Sequence, residues 1–545
     1  MASNLFAIKP LDMLLAEAKG ENRLRRILGP TQLTALGVGA IIGTGIFILT
    51  GVAAHDRTGP ALMLSFVLAG FACVFAALCY AEFASMVPVA GSAYTYAYAT
   101  LGELFAWIIG WDLVLEYAVG SATVAHGWSA HFQEFIPIFH EGLAFIPAKL
   151  PAAFHTAPFN YCVSVSANCP RTGFVPTGSY FDLPAVLITF ILTIILVKGI
   201  RESATFNAIM VAVKLVIVLM VIGIGIFLIN TANWHPFAPY GYTGVSFFGN
   251  TLFGQTAAGG EPLGMFAGAA IIFFAYIGFD SVSVHSEEAK NPAKDVPIGI
   301  IASLIICTVL YILVSAVLTG MVPYKEINID APVVDAFRRA GYTWMQYLVA
   351  AGAMTGITSV LLVMMLSQPR VMLALARDGL VPKGFFGDIH PKFRTPWKST
   401  ILTGIFVAAM AGFIPLSILA EMTSIGTLFA FVIVCGAVLV MRRTNPHAER
   451  PFRAPLVPLV PILGILTCLL LMFSLPAENW YRLIGWLIVG LAIYFLYGRR
   501  HSVMAQQRHL PHELSTHGLT GAPVGDPDAP ATFPINPVDS TVKSE

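Results

Sequence analysis

Long apolar runs alternate with short polar stretches over almost the whole chain. Runs of at least about 17 residues lie near 32–51, 60–82, 101–127, 182–199, 204–229, 263–284, 297–321, 344–368, 399–414, 417–440, 456–475 and 482–498. The ninth is short and interrupted by glycine. A helix needs roughly 20 such residues to cross about 30 Å of hydrocarbon. In lipid every backbone N–H and C=O must find a partner, which makes a helix the default spanning form. The pattern predicts an all-α polytopic membrane protein with 12 transmembrane helices.

The polar segments complete the layout. Residues 1–31 form a charged N-terminal tail without the apolar core or cleavage site of a signal peptide, so span 1 is expected to act as an uncleaved insertion signal. Residues 499–545 are rich in Pro, Gly, Asp and Thr and read as a disordered C-terminal tail. The outer loops 128–181 and 230–262 are rich in Pro, Gly and aromatics. They are expected to carry short helices over a pocket mouth.

Two spans are interrupted. Span 1 reads GVGAIIGTGIFILTG over 37–51. Glycine is costly inside a helix and tolerates unusual backbone angles, so Gly43-Thr44-Gly45 invites the helix to open. Gly39 and Gly43 also make a GxxxG spacing, which reads equally as a packing face. Span 6 carries AIIFFAYIGFDSVS, in which Phe274, Tyr276 and Phe279 are either packing residues or a gate beside a break. Five spans separate the two, so the second enters the membrane from the opposite side, as an inverted repeat requires. Spans 1–5 within 32–229 then form one repeat, and the outer loop with spans 6–10 within 230–440 forms the other. Spans 11–12 within 441–498 are an appendage.

Composition agrees. Charged residues are 11% of the 545, against about 25% in soluble domains. With the N-terminus in the cytoplasm, only Arg57, Lys149, Arg171, Lys325, Arg338, Arg339 and Arg482 fall outside, and Lys214 lies within a span. Every other Lys and Arg of the 31 falls inside, so the positive-inside rule puts both termini in the cytoplasm. The net charge of +1 points to no nucleic-acid partner.

Ionisable groups inside spans are functional candidates. Lys214 is ten residues into span 5, about 15 Å deep. It must pair or lose its proton, either as a structural tie to the broken helices or as a coupling group standing where another transporter holds sodium. Asp112 and Glu116 share one face of span 3 by their i, i+4 spacing. Glu116 is the better proton site, and Asp112 the one to meet interior water. Asp280 follows the span 6 break, either as a cap on the second half-helix or as a functional acid. Glu82, Glu287 and Glu288 sit near inner span ends and are expected to meet water or arginines.

Soluble chemistry is nearly absent from the sequence. There is no P-loop, HExxH or paired CxxC, so no cofactor or metal is expected and no enzyme reading gathers a catalytic set. His126, His131 and His140 read as surface residues. Cys73, Cys79, Cys307, Cys435 and Cys468 lie in spans as small hydrophobes. Cys162 and Cys169 share an outer loop, where an oxidising exterior permits a disulfide; two unpaired thiols are the other reading.

Four stretches carry a resemblance. GVGAIIGTGIFILTG, YAEFASMVPVAGSAYTYAY (80–98), FFAYIGFDSVSVHSEEAKNPAKDVPIGI (273–300) and QPRVMLALARDGLVP with HPKFRTP are similar to the amino acid–polyamine–organocation superfamily. More narrowly, they resemble bacterial relatives of the cationic amino acid transporters, over about 25–498. The resemblance implies a five-plus-five inverted repeat with two further helices. It implies that a substrate carboxylate meets the N–H groups of Gly43, Thr44 and Gly45, with Ile46 beside them. The ammonium would meet carbonyls at Ile41, Phe274, Ala275 and Ile277, with Phe274 as gate.

By the same resemblance, Lys214 and Glu116 are the proton-coupling pair. Met364 resembles a pocket-floor position, where a methionine shortens the pocket and favours neutral amino acids such as alanine over arginine and lysine. The leading expectation is proton-coupled uptake by alternating access across a bacterial inner membrane, with the amino acid, the proton and the bilayer as partners. An exchanger or a cationic amino acid carrier is the alternative, and a transmembrane sensor a remote one. Two neighbouring outer-loop cysteines favour an internal bridge over a bond to an obligatory heavy chain.

Overall fold

The computed structural model describes residues 5–10, 13, 26–87, 89, 91–142, 150–162, 173–248, 250–257, 262–329 and 331–509. Its main helices are α1 Pro30–Ile41, α2 Leu62–Met86, α3 Ala93–Thr100, α4 Glu103–Val114, α5 Gly120–Gly142, α6 Leu183–Lys198, α7 Ile200–Gly225, α8 Met265–Ile272, α9 Ser281–Val284, α10 Pro292–Met321, α11 Pro332–Arg339, α12 Thr343–Arg377, α13 Trp397–Phe413, α14 Leu416–Thr444, α15 Leu459–Ser474, α16 Ala477–Ile493 and α17 Val503–His509. Eight helical stretches among the described residues are long and apolar enough to cross a membrane. The shorter apolar helices α6, α13 and α15 accompany them.

Local sequence explains the ends. Pro30 opens α1 and Pro292 opens α10; at a first helical position proline's missing N–H is no loss. Asp182 caps α6, its carboxylate accepting from the Ala185 N–H at 3.1 Å. Between α4 and α5 the chain widens into a π-helical turn at Leu115–Val119. The helix there runs on to Gly142, well past the expected loop boundary at 127.

The core is a bundle around α1, α8 and α9. α10 packs on α1 and α2, and α12 packs on α5 and α7. Lipid offers no hydrophobic drive between helices, so close contact between small residues does the work. A side chain on Gly299 of α10 would come within 2.9 Å of Leu33.

The outer segments carry short helices as expected, at Ala152–Phe154 and Thr231–Trp234, and hairpins beside them: β1 Phe159–Cys162 pairs with β2 Gly173–Pro176, and β3 Val245–Phe247 with β4 Asn250–Phe253. Two expectations are corrected. Residues 499–509, assigned to a disordered tail, are largely helical and docked, with Ser502 buried and donating to Glu103. His126 and His131 are buried, not surface, residues. The His126 ring lies between the Asp182 carboxylate at 2.9 Å and the Ile414 carbonyl at 2.8 Å, tying α5 to the start of α6 and the α13–α14 turn. The Cys169 position and the Cys162 side chain lie outside what is described.

The basic end of the bundle is strapped shut. Backbone bonds join Leu5, Ala7 and Lys9 to Leu104, Glu103 and Tyr98. Lys9 pairs with Asp378 at 2.5 Å with both side chains buried, and Tyr94 donates to the other Asp378 oxygen. Glu103 also accepts from Tyr98 and Tyr494. Glu82, Glu287 and Glu288 meet arginines as expected: Arg442, Arg377 and Arg370 respectively.

Candidate functional site

α1 stops at Ile41 because Ile42 turns to extended backbone, with ψ of 102°. The chain re-enters a helix at Gly45, where a π turn begins. The N–H groups that open a new half-helix lack intrahelical partners by construction, and here they belong to Gly43, Thr44 and Gly45. The Gly43 carbonyl already accepts from Ile46 at 3.2 Å and Phe47 at 3.4 Å.

The second break faces the first. α8 tightens into a 3-10 turn at Phe273–Tyr276, Ile277 is extended, and Gly278 has φ of +119°. L side chains avoid that region. A side chain at Gly278 would also press on Ala40, and one at Gly45 would collide with the Ala275 backbone. Both glycine readings of span 1 therefore stand together: the helix opens at Gly43-Thr44-Gly45, while Gly39 lies against Asn207 of α7 and Gly43 against Val360 of α12.

Three side chains hold these breaks. Lys214, fully buried on α7, donates to the carbonyls of Gly39 at 2.9 Å and Ile42 at 2.8 Å and to the Ser359 hydroxyl at 2.7 Å. An ammonium has three donors, so Lys214 is saturated, and every one of those acceptors is neutral. Ser359 on α12 itself reaches the Gly39 carbonyl at 2.9 Å. Tyr311 on α10 reaches the Ile41 carbonyl at 2.7 Å and the Ala275 carbonyl at 2.8 Å.

A cluster of acids stands on the other side. Glu116, in the π turn, is buried beside Asp280 and Thr427. Among the described residues it has no hydrogen-bond donor, and a buried polar group in that condition calls for an explanation. Asp280 does not cap α9 with its side chain; its carboxylate accepts from the Tyr117 hydroxyl instead. Asp112 is buried against Gly426 of α14, one turn before Glu116.

Ile41, Thr44, Ile46, Phe274, Ala275, Ile277 and Met364 are all buried. Thr44 lies against Gly127 of α5, and Met364 against Gly120 of α5. Val360, one turn before Met364 on α12, packs on Gly43.

An amino acid permease family model matches residues 28–494. The chain belongs to that family. The permease is 44% identical over 502 residues to the methylthioribose transporter of Bacillus subtilis, covering 92% of this chain and 99% of that protein. It is 45% identical over 508 residues to the branched-chain amino acid permease BcaP of the same organism, covering 93% and 100%. With the vacuolar cationic amino acid transporter 4 of Arabidopsis thaliana it shares 40% over 433 residues, covering 79% and 66%. It is an integral membrane transporter of amino acids or related solutes, not an enzyme, within the superfamily its motifs resemble.

Sequence reading of the permease missed Tyr311 and Ser359. A lone tyrosine in the apolar run of α10 was the available signal, since freed carbonyls need a donor. Ser359 gave none, because a serine in a spanning helix usually bonds its own backbone.

Proposed function

We propose that this permease is a proton-coupled importer of neutral amino acids, working by alternating access in a bacterial cell membrane with both termini cytoplasmic. The spans form a five-plus-five inverted repeat with two appended helices. The substrate carboxylate sits at the N–H groups of Gly43, Thr44 and Gly45, a half-helix start that favours an anion. Its ammonium shares the carbonyls of Ile41, Phe274, Ala275 and Ile277, each oxygen having a second lone pair to offer. Phe274 closes over it, and Met364 limits its side chain.

The observation that carries this reading is Lys214. Its ammonium fills the carbonyl nest behind the first break, where a sodium-coupled carrier would need its ion. A proton leaving Lys214 removes one of its three donors, so one of the acceptors at Gly39, Ile42 and Ser359 is released and the hold of α7 on the break loosens. Glu116 beside Asp280 offers the second proton position. The match to BcaP supports branched-chain substrates alongside alanine.

The test is uptake of labelled alanine and leucine into proteoliposomes, acid outside and free of sodium, with empty lumens. Concentrative uptake abolished by a protonophore is expected. Uptake only after preloading with amino acid would replace symport by exchange. A second reading comes from the methylthioribose transporter: if methylthioribose, which lacks an ammonium, competes with leucine, the carbonyls at the breaks do not select for an amine.

A further inference from the structure

We propose that the basic end of α10 carries a site for one anionic phospholipid. A groove of about 580 Å³ runs there, lined by Ala293, Lys294, Pro297, Ile298, Ile301, Ala302 and Ile305 of α10, with Pro451 and Phe452 as its far wall. The volume lies in the range of preformed organic-ligand pockets.

The groove's length selects the occupant. From Ala293 to Ile305 the helix rises about 18 Å, close to the roughly 15 Å depth of one leaflet's hydrocarbon. It starts at the polar boundary and ends near the midplane, as an acyl chain does. Ile298 and Ile305 present exposed apolar side chains along it.

Its walls are fixed. The Phe452 N–H is held by the Ser85 hydroxyl at 3.2 Å, and the Ala454 N–H by the Glu82 carboxylate at 2.8 Å. The segment over the groove is therefore anchored to α2, and the space is built before a ligand arrives.

Charge at the mouth gives the headgroup its sign. Lys294 lines the entrance, Lys290 lies just before it in the chain, and Arg453 follows Phe452; all three are exposed. Asp295 is turned inward, accepting from the Asn291 N–H at 3.0 Å. Glu449 is the one exposed acid in the 449–453 turn, so the balance stays basic. A phosphodiester headgroup without a balancing cation fits that mouth, and a zwitterionic one gains less.

The experiment is native mass spectrometry of delipidated, detergent-solubilised permease titrated with palmitoyl-oleoyl phosphatidylglycerol or phosphatidylcholine. One phosphatidylglycerol retained above the unspecific ladder is expected. Ala302→Trp, which fills the groove, should abolish it. Lys294→Glu should weaken it by at least about fivefold and leave phosphatidylcholine unchanged. Leu219→Trp, on the exposed face of α7, should have no effect, and thermal unfolding of each variant checks that it is folded. Equal retention in Ala302→Trp, equal loss in Leu219→Trp, or no preference for phosphatidylglycerol would each overturn the site. A stoichiometric polypeptide displaced by Ala302→Trp would replace the lipid with a partner helix.

Discussion

Lys214 reaches across from α7 to donate a 2.8 Å hydrogen bond to the carbonyl of Ile42, the extended residue just past the end of α1. That single contact links an intramembrane cation to the backbone of the first break. Lys214→Ala should lower gradient-driven uptake by at least about tenfold, because three acceptors lose their donor at a cost of about 1–3 kcal/mol for each one stranded. Counterflow at equal pH on both sides should persist. Loss of both modes together would assign Lys214 to architecture rather than coupling.

Gly278→Ala puts a side chain at φ of +119° and against Ala40. Strain of about 1–3 kcal/mol falls on the second break. A lowered Tm and loss of substrate-induced stabilisation in a thermal-shift measurement are expected. An unchanged Tm would mean that the break repacks freely.

Glu82 holds Arg442 through two 2.8 Å hydrogen bonds, and the Ala454 N–H, with Arg450 also beside it. Glu82→Ala leaves the buried Arg450 without its carboxylate, a change of about 3 kcal/mol or more. Glu82→Gln keeps an acceptor for Ala454 and should lose less. Unfolding midpoints in mild detergent order the three proteins, and the reverse order would remove the ion pair from the account.

Asp378 receives both Lys9 and Tyr94. Asp378→Asn should release the N-terminal strap, seen as faster thiol labelling of a cysteine introduced at Ala7. The same variant should favour the state open towards the basic end. Labelling as slow as in the parent would mean that the backbone bonds to Tyr98 and Glu103 suffice.

The motifs near the breaks were legible because their chemistry is local. Gly43-Thr44-Gly45 and Phe274 mark the breaks through residue type and position inside an apolar run. Lys214 and Glu116 were legible as charges in the wrong solvent. Tyr311, Ser359 and the His126–Asp182 contact were not, since each depends on a partner far away in sequence. The docked segment 499–509 was hidden for a related reason. Its polarity resembles a solvated tail, and its partners, Glu103 for Ser502 and the Asp378 carbonyl for the Val503 N–H, lie far earlier in the chain. Hairpins in the outer segments escaped because Pro and Gly mark turns without saying what the turns connect.

Tyr311 stands between two carbonyls, and a phenol has one hydrogen to give. It can serve Ile41 or Ala275 fully, or both by halves. The pair of breaks is thus always one hydrogen short, a deficit shared between the two arms of the fold. In the binding mode proposed above, an arriving ammonium brings three. Occupancy would then supply both arms at once, and the ligand itself would be the clasp that makes them a single moving part.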